Sequence, residues 1–382
     1  MPTKASSQAA ANREFPHAML REIYDQPRAI RDTILNNVQG DAIFPRALER
    51  LESALLAFRK IIIAASGSSR NAGLAGEIMM EDLAGAAVDV EYASEYGYRS
   101  THAGSDPIVI VISQSGETGD TTAALREALN RGAQTIGISN VANSTITREA
   151  TASLLTFAGP EKAVPATKSF TTQLAILHLF SLFLARRRGR ITSEVTRVHL
   201  ARLTSVPDLI ERNLNAWDAA ASEAAGFCRN ARSFLILGRG IHYAIAREAA
   251  LKLKELSYVQ AEGLPAGELR HGPNALVDSD LTVIALATHD ITDPDSLLRY
   301  QKTLDVLAYV KSHGGKAIAV AVEGDREVAG SAERVLFVPP APELLLPLVE
   351  VVPLQLFAYH FAVLAGSDVD SPRNLVKAVV KE

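Results

Sequence analysis

Short apolar runs alternate with longer segments of helical period along most of the chain. Lys60–Ala65 (KIIIAA) ends in Ser66-Gly67-Ser68-Ser69, and a helical period follows over 72–84. Val88–Tyr92 reads as the next strand. Pro107–Ile112 (PIVIVI) ends in a second Ser/Gly turn, and a helix is expected over 121–131. Thr135–Ile138 and Leu154–Phe157 complete a first set, and Thr167–Arg187 reads as a long helix that closes the unit near residue 190. Helical connecting sequence runs to about residue 230, where the order restarts. Ser233–Leu237 is a strand ending at Gly238-Arg239-Gly240, followed by a helix over 243–256. Leu281–Ala287, Lys316–Val322 and Arg334–Val338 are strands, with helices over 298–312 and 344–364. Runs that are apolar throughout, separated by helices, predict parallel sheets covered on both faces. The repeated order predicts a duplicated α/β unit. Before it, residues 1–18 read as a loose tail and 19–58 as helical.

Composition narrows the function classes. With 382 residues the chain has room for two or three domains. A formal net charge of −4 gives no basic surface for nucleic acid. The stretch 185–190 (ARRRGR) is a solvated helix end, where cations suit the dipole. Cys228 is the sole cysteine, so neither an intrachain disulfide nor a Cys-rich zinc site forms, and a cytoplasmic setting is expected. The first 14 residues hold no apolar signal core. Charge or proline interrupts the apolar stretches before the roughly 18 residues of a membrane span, so no membrane association is expected.

The candidate chemistry sits in the turns. In an open parallel sheet, ligands bind outside the carboxyl ends of the strands. Ser66-Gly67-Ser68-Ser69 and Ser113-Gln114-Ser115-Gly116-Glu117-Thr118 both lie at such ends and both precede a helix. Unpaired N–H groups and the dipole make a helix N-terminus favourable for phosphate. Simple N-capping explains one such turn; two in the same half favour a phosphate site. Neither turn has the nucleotide-loop lysine, and Gly238-Arg239-Gly240 lacks the last glycine of a dinucleotide fingerprint, so no cofactor is expected. No metal-ligand cluster is visible.

The string ISQSGETGDT (Ile112–Thr121) resembles the phosphate loop of sugar-isomerase (SIS) domains. MLREIYDQPRAI (Met19–Ile30), KAVPATKSFTTQL (Lys162–Leu174), ALKLKELSYVQAEGLPAGELRHGP (Ala250–Pro273) and Val352–Glu382 resemble the isomerase half of glucosamine-6-phosphate synthases. The resemblance implies two tandem SIS domains, each a mostly parallel sheet flanked by helices, plus a docked C-terminal tail. The expected parts are a lead-in over 1–50, a first domain over 51–190, a helical linker over 191–222, a second domain over 223–365 and a tail over 366–382.

The resemblance also implies roles. Phosphate is held by Ser68, Ser69, Ser113, Gln114, Ser115 and Thr118, and the backbone near Val164 touches the sugar. Glu255 moves a proton between C1 and C2, with Lys252 beside it. His271, from a neighbouring subunit, helps open the ring, so a homodimer with shared sites is expected. Lys377 forms a Schiff base with the keto sugar. The residue chemistry agrees. One carboxylate over two carbons can take and return the proton. Lys252, three residues before Glu255, favours the ionised carboxylate, although an ordinary surface pair has the same spacing. His271 precedes Gly272-Pro273, a loop signal; the other histidines, His242 and His289 included, read as structural. Apolar neighbours of Lys377 (Leu375, Val376, Val379 and Val380) suggest that the tail docks and desolvates the amine.

Four departures bear on which sugar is taken: Ser68 replaces a common threonine, Arg70 a common aromatic, Pro165 follows Val164, and Ala166 replaces a common serine. Synthases of this kind carry a glutaminase domain with an N-terminal cysteine nucleophile, whereas about 18 residues precede Met19 and none is cysteine. The expected activity is therefore isomerisation with amine loss, converting glucosamine 6-phosphate and water to fructose 6-phosphate and ammonia. Synthesis from free ammonia or a separate glutaminase, deglycation of a sugar-amine adduct, and a non-catalytic sugar-phosphate sensor are the alternatives. A sensor predicts loss of Glu255, His271 or Lys377, and all three are present.

Overall fold

The computed structural model describes residues 14–44, 46–99 and 107–380. The tail expected over 1–18 lies, as far as residue 13, outside the described residues. Helices α1 (Ala18–Tyr24) and α2 (Gln26–Asn37) lead in. The helix expected to continue to residue 58 stops there. Val38–Gln39 and Ala42–Ile43 pair as a small antiparallel hairpin, and only α3 (Glu52–Ala57) resumes the helix. Gly40, at φ +60°, takes the left-handed conformation that this turn needs.

The first sheet contains β1 (Ile61–Ala65), β2 (Val88–Tyr92), β3 (Ile108–Ser113), β4 (Gln134–Ser139) and β5 (Ala152–Leu155). All pairings are parallel, in the order β2-β1-β3-β4-β5. The second sheet contains β6 (Ser233–Gly238), β7 (Gln260–Pro265), β8 (Leu281–Ala287), β9 (Lys316–Val322) and β10 (Arg334–Val338). It is again parallel, in the order β10-β9-β8-β6-β7. Counted from its own first strand, that is the order of the first sheet, so the duplication extends to topology. The match requires β7, which the sequence pattern does not reveal. QAEGLP holds a glycine and a proline and has no buried run, as suits an edge strand.

Alternating strand positions feed separate cores. Ile61, Ile63, Ile108, Ile110 and Ile112 of the first sheet share one apolar cluster with Phe234, Ile236, Ile284 and Ile318 of the second. The intervening residues face outward into two smaller clusters, Ile62, Val109 and Val111 in one, Leu235, Val283 and Ala285 in the other. Helices fill the shared layer: α4 (Gly67–Ala84), α6 (Lys168–Arg187), α7 (Ser193–Phe227), α8 (His242–Ser257) and α10 (Leu346–Leu364). Their companions α5 (Gly119–Asn130) and α9 (Pro294–Ser312) flank the sheets. Lys168–Arg187 and Glu343–Leu364 are long and apolar enough to cross a membrane, contrary to the expected interruptions, but 94% and 89% of their apolar windows are buried inside the fold. A helix that is apolar all round belongs to a protein core as readily as to a bilayer.

Candidate active site

Strands β1 and β3 are neighbours, yet their connections leave toward opposite edges of the sheet. The crevice beyond their carboxyl ends is thus the topological switch point. Both serine turns lie there. The first enters α4 at Gly67, with φ +55°. The second folds on its own hydroxyls. Ser113 Oγ accepts the Gly116 N–H at 3.0 Å and lies 2.9 Å from Thr118 Oγ1, while Ser115 Oγ accepts the Glu117 N–H at 3.1 Å. Gly116 has φ +68°, and a Cβ there would stand 2.0 Å from Ser144 Oγ. Glu117 turns away from the crevice and accepts from the Thr145 N–H and hydroxyl at 2.8 and 2.7 Å.

The turns wall a cavity of about 180 Å³. Ser68, Ser69, Ser113, Gln114, Ser115 and Thr118 all line it, as does Val164. Their hydroxyls are not equally free. Ser68 donates to Glu248 Oε1 at 2.8 Å, so its proton is committed. Ser69 accepts from Gln173 Nε2 at 3.0 Å, which leaves its own proton for a ligand. A larger cavity of about 720 Å³, beside Asp41, Phe44 and Arg187, contains none of the expected site residues.

Helix α8 supplies the opposite wall. Glu248, Lys252 and Glu255 fall four and three residues apart, hence on one helix face. Lys252 Nζ lies 2.5 Å from Glu255 Oε2 and 3.5 Å from Glu248 Oε1. This is no surface pair: the side chains of Lys252 and Glu248 are 1% and 0% exposed, and that of Glu255, at 21%, reaches the cavity. Burial by itself would lower Lys252, but the charges of Glu255 and Glu248 outweigh it and hold the ammonium above the usual lysine value. Burial pushes Glu248 up, against the pull of Lys252 and of hydrogen bonds from Asn71 and Ser68. Sequence reasoning missed Glu248. Its one signal was the i−4 position before Lys252.

The C-terminal tail closes the cavity with Leu375, Val376 and Lys377. It docks through its backbone and polar groups rather than through the apolar residues expected to hold it. The Gly119 N–H donates to the Val379 carbonyl and the Val164 N–H to the Asp370 carbonyl, both at 2.9 Å, and Arg373 stacks 4.0 Å over Tyr258. Val376 remains 65% exposed and Val380 62%. The Val164 N–H is therefore already used, which leaves its carbonyl and side chain to meet a ligand. Lys377 Nζ donates to Glu161 Oε2 at 2.7 Å and to the Ala163 carbonyl at 2.6 Å, so a Schiff-base role requires it to leave both. Burial would raise Glu161, a second residue missed in the sequence. The Lys377 charge and donors from Thr167 and Ser169 overcome that and hold it below the usual carboxylate range.

His271 is not brought to this cavity by its own chain. It ends the short 3₁₀ turn Ala266–His271, where it is exposed. Among the described residues, no group of three or more His, Cys, Asp or Glu side chains is placed to hold a metal ion.

Comparison with known proteins decides the family. The SIS domain model matches residues 55–183 and again 228–365, one match on each sheet. The chain belongs to the SIS domain family. Within that family it is 45% identical over 374 residues to the isomerizing glutamine–fructose-6-phosphate aminotransferase of Chlorobaculum tepidum, covering 96% of this chain and 59% of that protein. A Thermus thermophilus protein of the same name is 41% identical over 383 residues, with 60% of its length covered. The SIS chain thus spans about 60% of the length of these curated relatives. Among solved structures, the C-terminal domain of glucosamine-fructose-6-phosphate aminotransferase from Francisella tularensis superposes with a TM-score of 0.86 at 35% identity, covering 94% of this chain and 99% of that one. Glucosamine-6-phosphate deaminase from Thermotoga maritima shares the fold, with a TM-score of 0.70 at 22% identity over 95% of this chain and 99% of that one.

Proposed function

We propose that the chain interconverts glucosamine 6-phosphate and fructose 6-phosphate and releases ammonia. The observation that carries this reading is convergence: two serine turns suited to a phosphate share one small cavity with Glu255, Lys252 and Lys377. Phosphate sits against the 68–69 and 113–118 turns. Glu255 takes the proton from C2 of the open-chain amino sugar and returns it at C1, while one amine proton passes to the C1 oxygen, so that C1 becomes an alcohol and C2 an imine. The product imine at C2 adds water and loses ammonia, which leaves the ketose. Lys252 balances the charge of Glu255 throughout, so the carboxylate can accept without first losing a proton. Lys377 engages the keto sugar after leaving Glu161. His271 reaches the site of a neighbouring copy in a homodimer, and the 366–382 tail acts as part of the site rather than of either domain.

Incubation with glucosamine 6-phosphate, with ammonia and fructose 6-phosphate followed together, tests the activity. Production of neither refutes it. Formation of glucosamine 6-phosphate from fructose 6-phosphate and ammonia, with no reverse flux, would favour the synthetic reading that the names of the relatives support. Mixing Glu255→Gln and His271→Ala chains tests the shared site. Activity returns if each site draws on two chains, and stays absent after demonstrated subunit exchange if it does not.

A further inference from the structure

The 66–71 segment lines two cavities. Ser66, Ser68 and Ser69 face the one described above. Gly67, Arg70 and Asn71 line another, of about 270 Å³, completed by Tyr92, Arg247 and Lys254. Nothing in the proposed reaction uses this second cavity. Its chemistry is nonetheless specific. Arg70, at a position where the family resemblance leads one to expect an aromatic ring, lies with its guanidinium 3.8 Å over the Tyr92 ring. Arg247 donates from one terminal nitrogen to Tyr243 Oη and from the other to Tyr92 Oη, each at 3.0 Å. One tyrosine therefore holds both guanidinium groups, by its face and by its hydroxyl. Backbone packing fixes Arg247 further: strand β7 approaches α8 so closely that a Cβ on Gly263 would stand 2.5 Å from the Arg247 Cα.

Like charges gathered this way carry a cost unless an anion joins them. Among the described residues neither arginine has a carboxylate at ion-pair distance; Glu77 acts on Arg70 from farther off, and Glu262 lines the same cavity. The Nε atoms of both arginines are buried without a hydrogen-bond partner. Buried donors normally find a partner, so each unsatisfied one calls for an explanation. Forked guanidinium donors match the paired oxygens of carboxylate and phosphate. We propose that Arg70 and Arg247, supported by Lys254, form a second anion-binding site for the phosphate or carboxylate group of a small molecule, next to the sugar-phosphate cavity and separate from it.

Equilibrium dialysis of the full chain against labelled inorganic phosphate at low ionic strength tests this. Two phosphates per chain are expected. Thr118→Ala weakens one, and Arg247→Leu weakens the other by roughly tenfold or more, the loss typical of hydrogen bonds to a charged group. Arg70→Tyr, which can pack on Tyr92, is the second variant and should repeat the effect with the melting temperature retained. Displacement of the Arg247-dependent phosphate by glycerol phosphate but not succinate identifies a phosphate ester as the ligand; the reverse identifies a carboxylate. A single phosphate that responds to Thr118→Ala and to neither arginine variant overturns the proposal. So does a change of sedimentation in Arg247→Leu at constant phosphate count, which would make this face a contact between chains. Loss of response to Thr118→Ala alone counts against the phosphate-turn assignment and leaves the arginine site standing.

Discussion

The two halves share a strand order but treat the crevice at its switch point in opposite ways. In the first half, small hydroxyl residues end β1 and β3 and leave a cavity. In the second, the corresponding ends of β6 and β8 are plugged by charged side chains. His242, 2% exposed, lies 3.0 Å by Nδ1 from Glu350 and 3.2 Å by Nε2 from Glu343, the latter at ion-pair distance without hydrogen-bond geometry. Thr288, just beyond β8, donates to Glu350 at 2.6 Å, and Arg299 reaches Glu343 at 2.7 Å. One copy of the fold leaves its crevice open, while the other neutralises its own crevice and lends the open copy a helix face. The same α8 begins at His242 in the plug and presents Glu255 to the neighbouring cavity.

The sharpest break in this asymmetry is Glu255→Gln, which keeps the side-chain shape and removes the proton acceptor. Isomerisation should fall by about a hundredfold to ten-thousandfold, the range of a lost general base. Affinity for the sugar phosphate, measured by calorimetry, should change little. A comparable loss of affinity would mean that Glu255 binds substrate rather than moving its proton.

The plug should show the converse pattern, a large effect on stability and none on chemistry per folded molecule. His242→Leu takes the imidazole from Glu350, a carboxylate 0% exposed, while Glu343 keeps Arg299, and should cost about 3–5 kcal/mol in denaturant unfolding. The network also has a pH signature. Burial opposes the charge on His242, but Glu350 and Glu343 outweigh it and raise the imidazole to about 10. A histidine raised in the fold contributes stability that is complete below its unfolded value near 6.5 and is lost as pH rises toward 10. For Glu343, burial is overcome by His242, Ser296 and Arg299, which bring it down to about 2. Its contribution is complete above its unfolded value of 4.5 and is lost as pH falls toward 2. The wild type should therefore be most stable near pH 5–6.5 on account of this cluster, and His242→Leu should lack the alkaline decline. An equally steep alkaline decline in the variant would assign it to other groups.

The duplication behind this contrast was legible in the sequence, the plugged second crevice was not, and the difference has physical causes. The parallel strands announced themselves because both their faces are buried, so Ile61–Ala65 and Ile108–Ser113 are apolar throughout. An edge strand has no such obligation, and β7 stayed hidden. The lead-in helix was drawn too long because the hairpin at 38–43 turns on a single glycine. Within the site, the serine turns and the Lys252–Glu255 spacing could be read. Glu161 and Glu248 could not, since a buried carboxylate looks like a surface one until its partners, 216 residues away for Lys377 and 180 for Ser68, are folded against it. The docked tail was anticipated for the wrong reason: backbone hydrogen bonds, Lys377, Arg373 and the buried Val369 hold it, while Leu375, Val376, Val379 and Val380 stay largely outside.

The smallest effects should come from the 113–118 turn that walls the first crevice. Ser115→Ala and Thr118→Ala each remove one hydroxyl from the cavity wall without touching Glu255. A hydrogen bond to a charged ligand is worth about 1.5–3 kcal/mol, so KM should rise roughly tenfold to a hundredfold while kcat stays nearly constant. The two residues should not behave alike. Ser115 Oγ also accepts the Glu117 N–H, and Thr118 Oγ1 lies 2.9 Å from Ser113 Oγ, which itself receives the Gly116 N–H. Where Ser113 is the donor of that hydroxyl pair, loss of Thr118 frees its proton for the ligand and so partly replaces what was lost. Loss of Ser115 leaves a backbone N–H without its acceptor and offers no substitute. Ser115→Ala should therefore raise KM more than Thr118→Ala, and the double variant should lose more than the sum, because Ser113 compensates only while the turn keeps its shape. Equal and additive losses would show the two hydroxyls acting as independent contacts, and the turn as a scaffold that does not depend on them.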